Sequence, residues 1–184
     1  FPAALEDAVA AYKWLLATGY EGKDIIVAGD SAGGGLSLAL GQFLRDNDML
    51  LPAGFVLMSP WTDLTASGVS YEENYTLDPM FGNTRESMIY SGEYLGGHSP
   101  KEPYISPLFG DFSKLPPMLF QVGGIEMLLS DSISAEKKAR EAGCKTNITI
   151  YEEMFHVFQM GLDKLEESKE AWEEVKRFVE DFAE

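Results

Sequence analysis

Ile25-Ile26-Val27-Ala28-Gly29-Asp30-Ser31-Ala32-Gly33-Gly34-Gly35 decides the reading of this chain. A short apolar run enters it, and a helical pattern, Leu36 to Leu44, leaves it. Strand, sharp turn and helix, with Gly-x-Ser-x-Gly at the bend, make the pattern of a nucleophile elbow. A serine hydroxyl is a weak nucleophile and must be held where a base can reach it. A tight turn does this and strains the backbone at Ser31. Gly29 and Gly33 are expected to flank the bend because side chains there would collide with the neighbouring strand and helix. The turn also puts the backbone N–H of Ala32 at a helix N-terminus, where it can stabilise an oxyanion. The plainer alternative is a glycine-rich turn that binds an anion or only packs.

Working outward, Ala4, Leu5, Ala8, Val9, Tyr12, Leu15 and Leu16 recur at helical spacing and predict a helix over 3–18. Residues 25–28 read as a buried strand and 32–47 as the helix after it. Gly54 to Met58 is a continuous apolar run, a second buried strand. Met118 to Gly123 is a third, Lys145 to Tyr151 alternates as a fourth, and Ser130 or Asp131 caps a helix running to Ala142. The last helix, about Leu162 to Phe182, is expected to bury Trp172, Val175, Val179 and Phe182. Helices alternating with strands predict a parallel sheet covered on both faces, one α/β unit. Residues 64–110 break the pattern, apart from a helix about Thr84 to Leu95, and read as a lid or substrate wall.

In such sheets ligands bind at the carboxyl ends of the strands. Ser31, Asp63, Glu126 and His156 each follow a strand, so all four can meet at one edge. A serine nucleophile needs a base, and the base needs an acid to hold its tautomer. His156, after the last strand, suits the base, and its neighbours Phe155, Val157 and Phe158 can exclude water. The other histidine, His98, sits within the insertion and reads as an exposed loop residue. Three acids are open. Glu126 is preferred, Asp131 has capping as its plainer role, and Asp63 is third.

The chain has 184 residues, the length of one domain, and 45% hydrophobic content, enough for a sizeable core. A net charge of −16 argues against nucleic acid and anionic membranes as partners. Cys144 is the sole cysteine, which fits a reducing, cytoplasmic setting. No apolar run reaches membrane-spanning length. No Cys/His cluster has metal-ligand spacing, and the glycine-rich turn lacks the lysine of a phosphate-binding loop, so no metal or organic cofactor is expected.

Taken together, Gly29-Asp30-Ser31-Ala32-Gly33-Gly34, Ser59-Pro60-Trp61-Thr62-Asp63-Leu64, Tyr104-Ile105-Ser106-Pro107-Leu108, Leu115-Pro116-Pro117-Met118 and Tyr151-Glu152-Glu153-Met154-Phe155-His156-Val157-Phe158 resemble the hormone-sensitive-lipase family of α/β-hydrolases, especially its bacterial esterases. The resemblance extends over nearly the whole chain. It implies an α/β-hydrolase fold and hydrolysis of short-chain carboxylic esters through an acyl-enzyme, with Ser31, Glu126 and His156 as triad. Trp61, Met80, Phe81, Leu128, Phe155 and Val157 would line the substrate pocket, with Tyr104 beside them. The family's acid motif is often an aspartate followed by a leucine and a second acid; Glu126-Met127-Leu128-Leu129-Ser130-Asp131 fits it with glutamate first.

Family members also carry a His-Gly-Gly-Gly loop upstream of the elbow, which this chain does not show. The resemblance therefore implies a partial catalytic domain over 1–184, lacking the N-terminal strands. The strand at 25–28 would then present an apolar edge, and association as a homodimer is the expected consequence. Two alternatives follow: an inactive fragment, or a non-catalytic binder like the plant gibberellin receptors. Those receptors have lost the histidine that His156 supplies here.

Overall fold

The computed structural model describes residues 1–82 and 92–182. Four parallel strands lie in the order β1-β2-β3-β4: β1 (Ile26–Asp30), β2 (Gly54–Met58), β3 (Met118–Gly123) and β4 (Thr146–Tyr151). Each strand advances the sheet by one place, so all carboxyl ends share one edge. Every residue of β2 and β3 is buried, as β2's unbroken apolar run and β3's nearly apolar one, interrupted only by Gln121, require. The strands β1 and β4 lie at the edges and are half-exposed. Ala28 and Asp30 face solvent, so β1 is less buried than its composition predicts.

Four longer helices cover the sheet: α1 (Ala3–Ala17), α2 (Ala32–Asp46), α3 (Leu129–Glu141) and α4 (Glu166–Glu180). On one face Leu38 of α2 and Ala135 and Ala139 of α3 close over Phe55, Leu57 and Phe120. Leu5, Val9 and Tyr12 of α1 pack on Ala39, Leu40 and Leu44 of α2. Helix α4 covers the other face. There Gly54 faces the Phe178 ring, and Gln121 Nε2 donates to the Ala171 carbonyl at 2.8 Å.

Two helix expectations need correcting. Helix α4 begins at Glu166, because 158–164 forms a tight 3₁₀ segment broken at Leu162 (φ 50°, ψ −118°). Its buried residues are Ser168 and Ala171, small enough for close approach to the sheet; Trp172 and Val179 stay exposed, and Val175 and Phe182 are half-buried. The Trp172 indole N–H donates to the Gln159 carbonyl at 3.0 Å. Helix α3 begins at Leu129 without a side-chain cap. Ser130 and Asp131 are turned instead to tertiary partners described below.

The described part of 64–110 is mostly irregular, with single helical turns at Ser70–Glu73 and Gly92–Leu95; the remainder of the helix predicted from Thr84 lies outside the described residues. Among the described residues, no helix is long and apolar enough to cross a membrane.

Candidate active site

Ser31 is the N-cap of α2 and holds φ 52°, ψ −121°, a conformation that non-glycine residues rarely adopt. Its backbone is pinned from both sides. Ser31 N–H donates to the Met58 carbonyl at 2.9 Å, and its own carbonyl accepts from Trp61 N–H at 2.8 Å and from the amides of Gly34 and Gly35. Missing side chains allow this closeness. A Cβ on Gly29 would lie 2.3 Å from the Gly33 carbonyl oxygen, one on Gly34 2.7 Å from Pro60 Cβ, and one on Gly35 2.1 Å from the Trp61 carbonyl oxygen. Gly33 departs from the expectation. A Cβ there would meet nothing within 4 Å, because it faces open pocket rather than strand or helix. The Ala32 amide, one residue past the hydroxyl, donates to no described residue.

Glu126 and His156 meet in the interior. Glu126 Oε1 lies 3.2 Å from His156 Nδ1, and both side chains are buried. Glu126 Oε2 accepts from Ser59 Oγ at 2.7 Å and from Gly123 N–H at 2.9 Å. With Oε2 filled, Oε1 is the acceptor left for the imidazole, which assigns the proton to Nδ1 and the lone pair to Nε2. The Phe81 ring stands edge-on to His156, with centroids 4.6 Å apart. Gly123 and Gly124 let the histidine loop close down: a Cβ on either would come within 2.2 Å of the Met154 or Glu152 carbonyl oxygen. Among the described residues Ser31 Oγ makes no hydrogen bond to His156. Such nucleophile–base contacts are often long without substrate and tighten on binding.

The irregular segment holds Glu126 in place. Asn74 Nδ2 donates to the carbonyls of Gly124 (3.1 Å) and Glu126 (2.9 Å). Asp78 Oδ2 accepts from Met127 N–H, while its Oδ1 accepts from the amides of Met80 and Phe81. Ser70 and Ser130 exchange amide-to-hydroxyl hydrogen bonds at 2.9 Å in both directions.

The two other candidate acids are occupied. Asp63 closes its own turn, accepting from the amides and hydroxyls of Thr65 and Ser67. Asp131 Oδ2 accepts from the amides of Thr62 and Asp63, each at 2.8 Å. It therefore caps a loop 68 residues away rather than its own helix. Burial pushes the Asp131 carboxyl up to about 7, against the pull of those two amides.

A pocket of about 350 Å³ opens beside the elbow, lined by Ala32, Gly33, Leu36, Trp61, Tyr94 and Tyr104 among others. Of the pocket residues expected from sequence, Trp61 and Tyr104 line it. Phe81 stands on His156, and Phe155 is half-buried beside that histidine in sequence. The rest are elsewhere. Leu128 is fully buried against Tyr71 and Met127 as packing behind the wall, and Met80 is largely exposed. Val157 faces a separate groove with Ala28, Asp30 and Trp172 along β1. His98 is exposed and lies 3.1 Å from Glu102, as a loop histidine should. Sequence reasoning passed over Ser59, Asn74 and Asp78. Ser59 carried a usable signal, since it directly follows a strand as Ser31 does; Asn74 and Asp78 carried none.

A family model for the alpha/beta hydrolase fold matches residues 1–160. An acetyl-hydrolase of Streptomyces hygroscopicus is 40% identical over 179 residues, covering 97% of this chain and 60% of its own. An esterase of Acinetobacter venetianus RAG-1 is 36% identical over 179 residues, covering 97% of this chain and 59% of its own. The crystal structure of an esterase from the bacterial hormone-sensitive lipase family superposes with a TM-score of 0.94 at 43% identity, over 97% of this chain and 60% of that one. The chain thus spans about three fifths of the length of the relatives it matches.

Proposed function

The chain belongs to the α/β-hydrolase family, among the bacterial esterases of the hormone-sensitive-lipase group, and from that premise we propose that the protein hydrolyses carboxylic esters through a serine acyl-enzyme. The observation that carries the reading is the buried Glu126–His156 pair at the same sheet edge as the strained Ser31 turn. Ser31 Oγ attacks the ester carbonyl carbon. His156 Nε2 takes the hydroxyl proton while Nδ1–H stays on Glu126, which steadies the imidazolium. The oxyanion forms where the unused Ala32 amide can donate to it, at the positive end of α2. His156 then hands its proton to the leaving alcohol. Water repeats the sequence on the acyl-enzyme and releases the acid.

The pocket over Ala32 is lined mainly by apolar and aromatic side chains, which suits a hydrocarbon acyl or alkoxy group. The acetyl-hydrolase relative points to a short acyl chain. Residues 64–110 serve as the substrate wall through Leu64, Tyr94, Tyr104 and Ile105.

The test is hydrolysis of p-nitrophenyl esters by the purified protein. Butyrate is turned over, kcat/KM falls about tenfold or more from butyrate to laurate, and Ser31→Ala lowers kcat by about 10⁴-fold or more. Turnover undiminished by Ser31→Ala overturns the mechanism.

A further inference from the structure

Ser59 stands where the three arms of the site meet. Strand β2 ends at Met58, and Ser59 follows with φ 47°, in the left-handed region that disfavours a side chain. Its amide donates to the Gln121 carbonyl at 2.7 Å, which holds the turn against the end of β3. Glycine would satisfy that backbone without strain. What serine adds is a hydroxyl, and the hydroxyl is fully buried and used twice: it donates to Glu126 Oε2 at 2.7 Å and accepts from Val157 N–H at 3.1 Å. Val157 follows the base directly and is itself left-handed, at φ 53°. Two residues beyond Ser59, the Trp61 amide holds the Ser31 carbonyl.

We propose that Ser59 is a positioning residue that sets the Glu126–His156 pair in register with Ser31, one hydroxyl fixing the acid's outer oxygen and the backbone beside the base. This rests on the ester-hydrolase reading above. With Oε2 held by Ser59 and Gly123, the carboxylate cannot rotate about its last bond without losing both donors, so Oε1 stays aimed at Nδ1. The Ser59 donor also draws charge away from Oε1. Removing it leaves a more basic oxygen facing the imidazole, favours the imidazolium, and moves the acid limb of the pH profile upward.

The test compares Ser59→Ala with Ser59→Gly in the protein. Both delete the hydroxyl, and the glycine variant keeps or relaxes the backbone. Each is expected to lower kcat for p-nitrophenyl butyrate about 10- to 100-fold, with KM within about twofold and the acid limb displaced to higher pH. A second readout is independent of turnover. The chain has two histidines, so imidazole ¹⁵N spectra in a His98→Asn background isolate His156. Its Nδ1–H signal is expected to weaken, and its titration to move upward, in both variants. Unchanged kcat and unchanged His156 titration in both variants overturn the proposal. So does a glycine variant with wild-type kcat and titration beside an impaired alanine variant, which would put the backbone in place of the hydroxyl. Absence of Ser31-dependent turnover in the parent protein would sink the esterase reading instead, while the His156 titration still decides the role of Ser59.

Discussion

The Ser31 turn after β1 and the Glu126 turn after β3 lie at the same edge of one sheet, yet they are held in opposite ways. Ser31 is fixed by backbone alone: amides and carbonyls of Met58, Trp61, Gly34 and Gly35, brought close because Gly29, Gly34 and Gly35 have no side chains. The Glu126 turn has one backbone donor, Gly123 N–H, and is otherwise held by side chains reaching across the chain: Ser59 on the carboxylate, Asn74 on the Glu126 carbonyl and Asp78 on the Met127 amide. A backbone-held turn is rigid and tolerates no added atom at the glycines where backbones touch, Gly29, Gly34 and Gly35. A side-chain-held turn can be dismantled one hydrogen bond at a time.

The largest effect expected from that contrast is at Gly35. Gly35→Ala puts a Cβ into the Trp61 carbonyl, and chemical denaturation should show a loss of about 3 kcal/mol. Gly33→Ala, two residues away, is the control with the opposite sign. Its Cβ meets nothing, so helix propensity dominates and stability rises by up to about 1 kcal/mol. Equal losses at both positions would break the backbone account.

Next comes Asp131. Asp131→Ala strands two buried amides and should cost about 2 kcal/mol, whereas Asp131→Asn keeps an acceptor for them and costs less. The pH dependence separates these variants further. The folded pKa of Asp131, about 7, lies above that of an unfolded aspartate. Its contribution is therefore fully present below about pH 4 and is lost as pH rises through about 7. Urea midpoints at about pH 5 and about pH 8 should show the wild type losing ground to Asp131→Asn across that interval. A gap that does not change with pH would contradict the assignment.

The smallest effect is at Asn74. Asn74→Ala removes the amide that donates to the Gly124 and Glu126 carbonyls. About 1 kcal/mol is expected, with hydrogen exchange rising around 124–130 and not around 29–35. Exchange rising equally at both turns would mean the two are not independently held.

The same contrast explains what is legible in the sequence. Glycine at a bend leaves a local mark, so the elbow can be read from eleven consecutive residues. Strands β2 and β3 are equally plain because central parallel strands must be predominantly apolar. Glu126 and His156 follow from strand-end position together with the family resemblance. The side chains that hold the Glu126 turn are not legible, because they lie 49 to 67 residues from their partners and their types, serine, asparagine and aspartate, are ordinary loop residues. Asp131 misleads for the same reason: it stands where a helix cap should be, and its carboxylate is taken by Thr62 and Asp63. The last helix misleads through composition. Trp172 and Val179 are apolar, but Ser168 and Ala171 hold the buried positions because α4 approaches β3 closely enough for a carbonyl-to-side-chain bond.

The most direct test is to quench the reaction with p-nitrophenyl butyrate in acid and locate the acyl group by peptide mass mapping. The account predicts one butyryl group on the peptide carrying Ser31, formed in the wild type and absent from Ser31→Ala and His156→Ala. Butyryl found on another residue, or ester turnover with no covalent intermediate on Ser31, would contradict it.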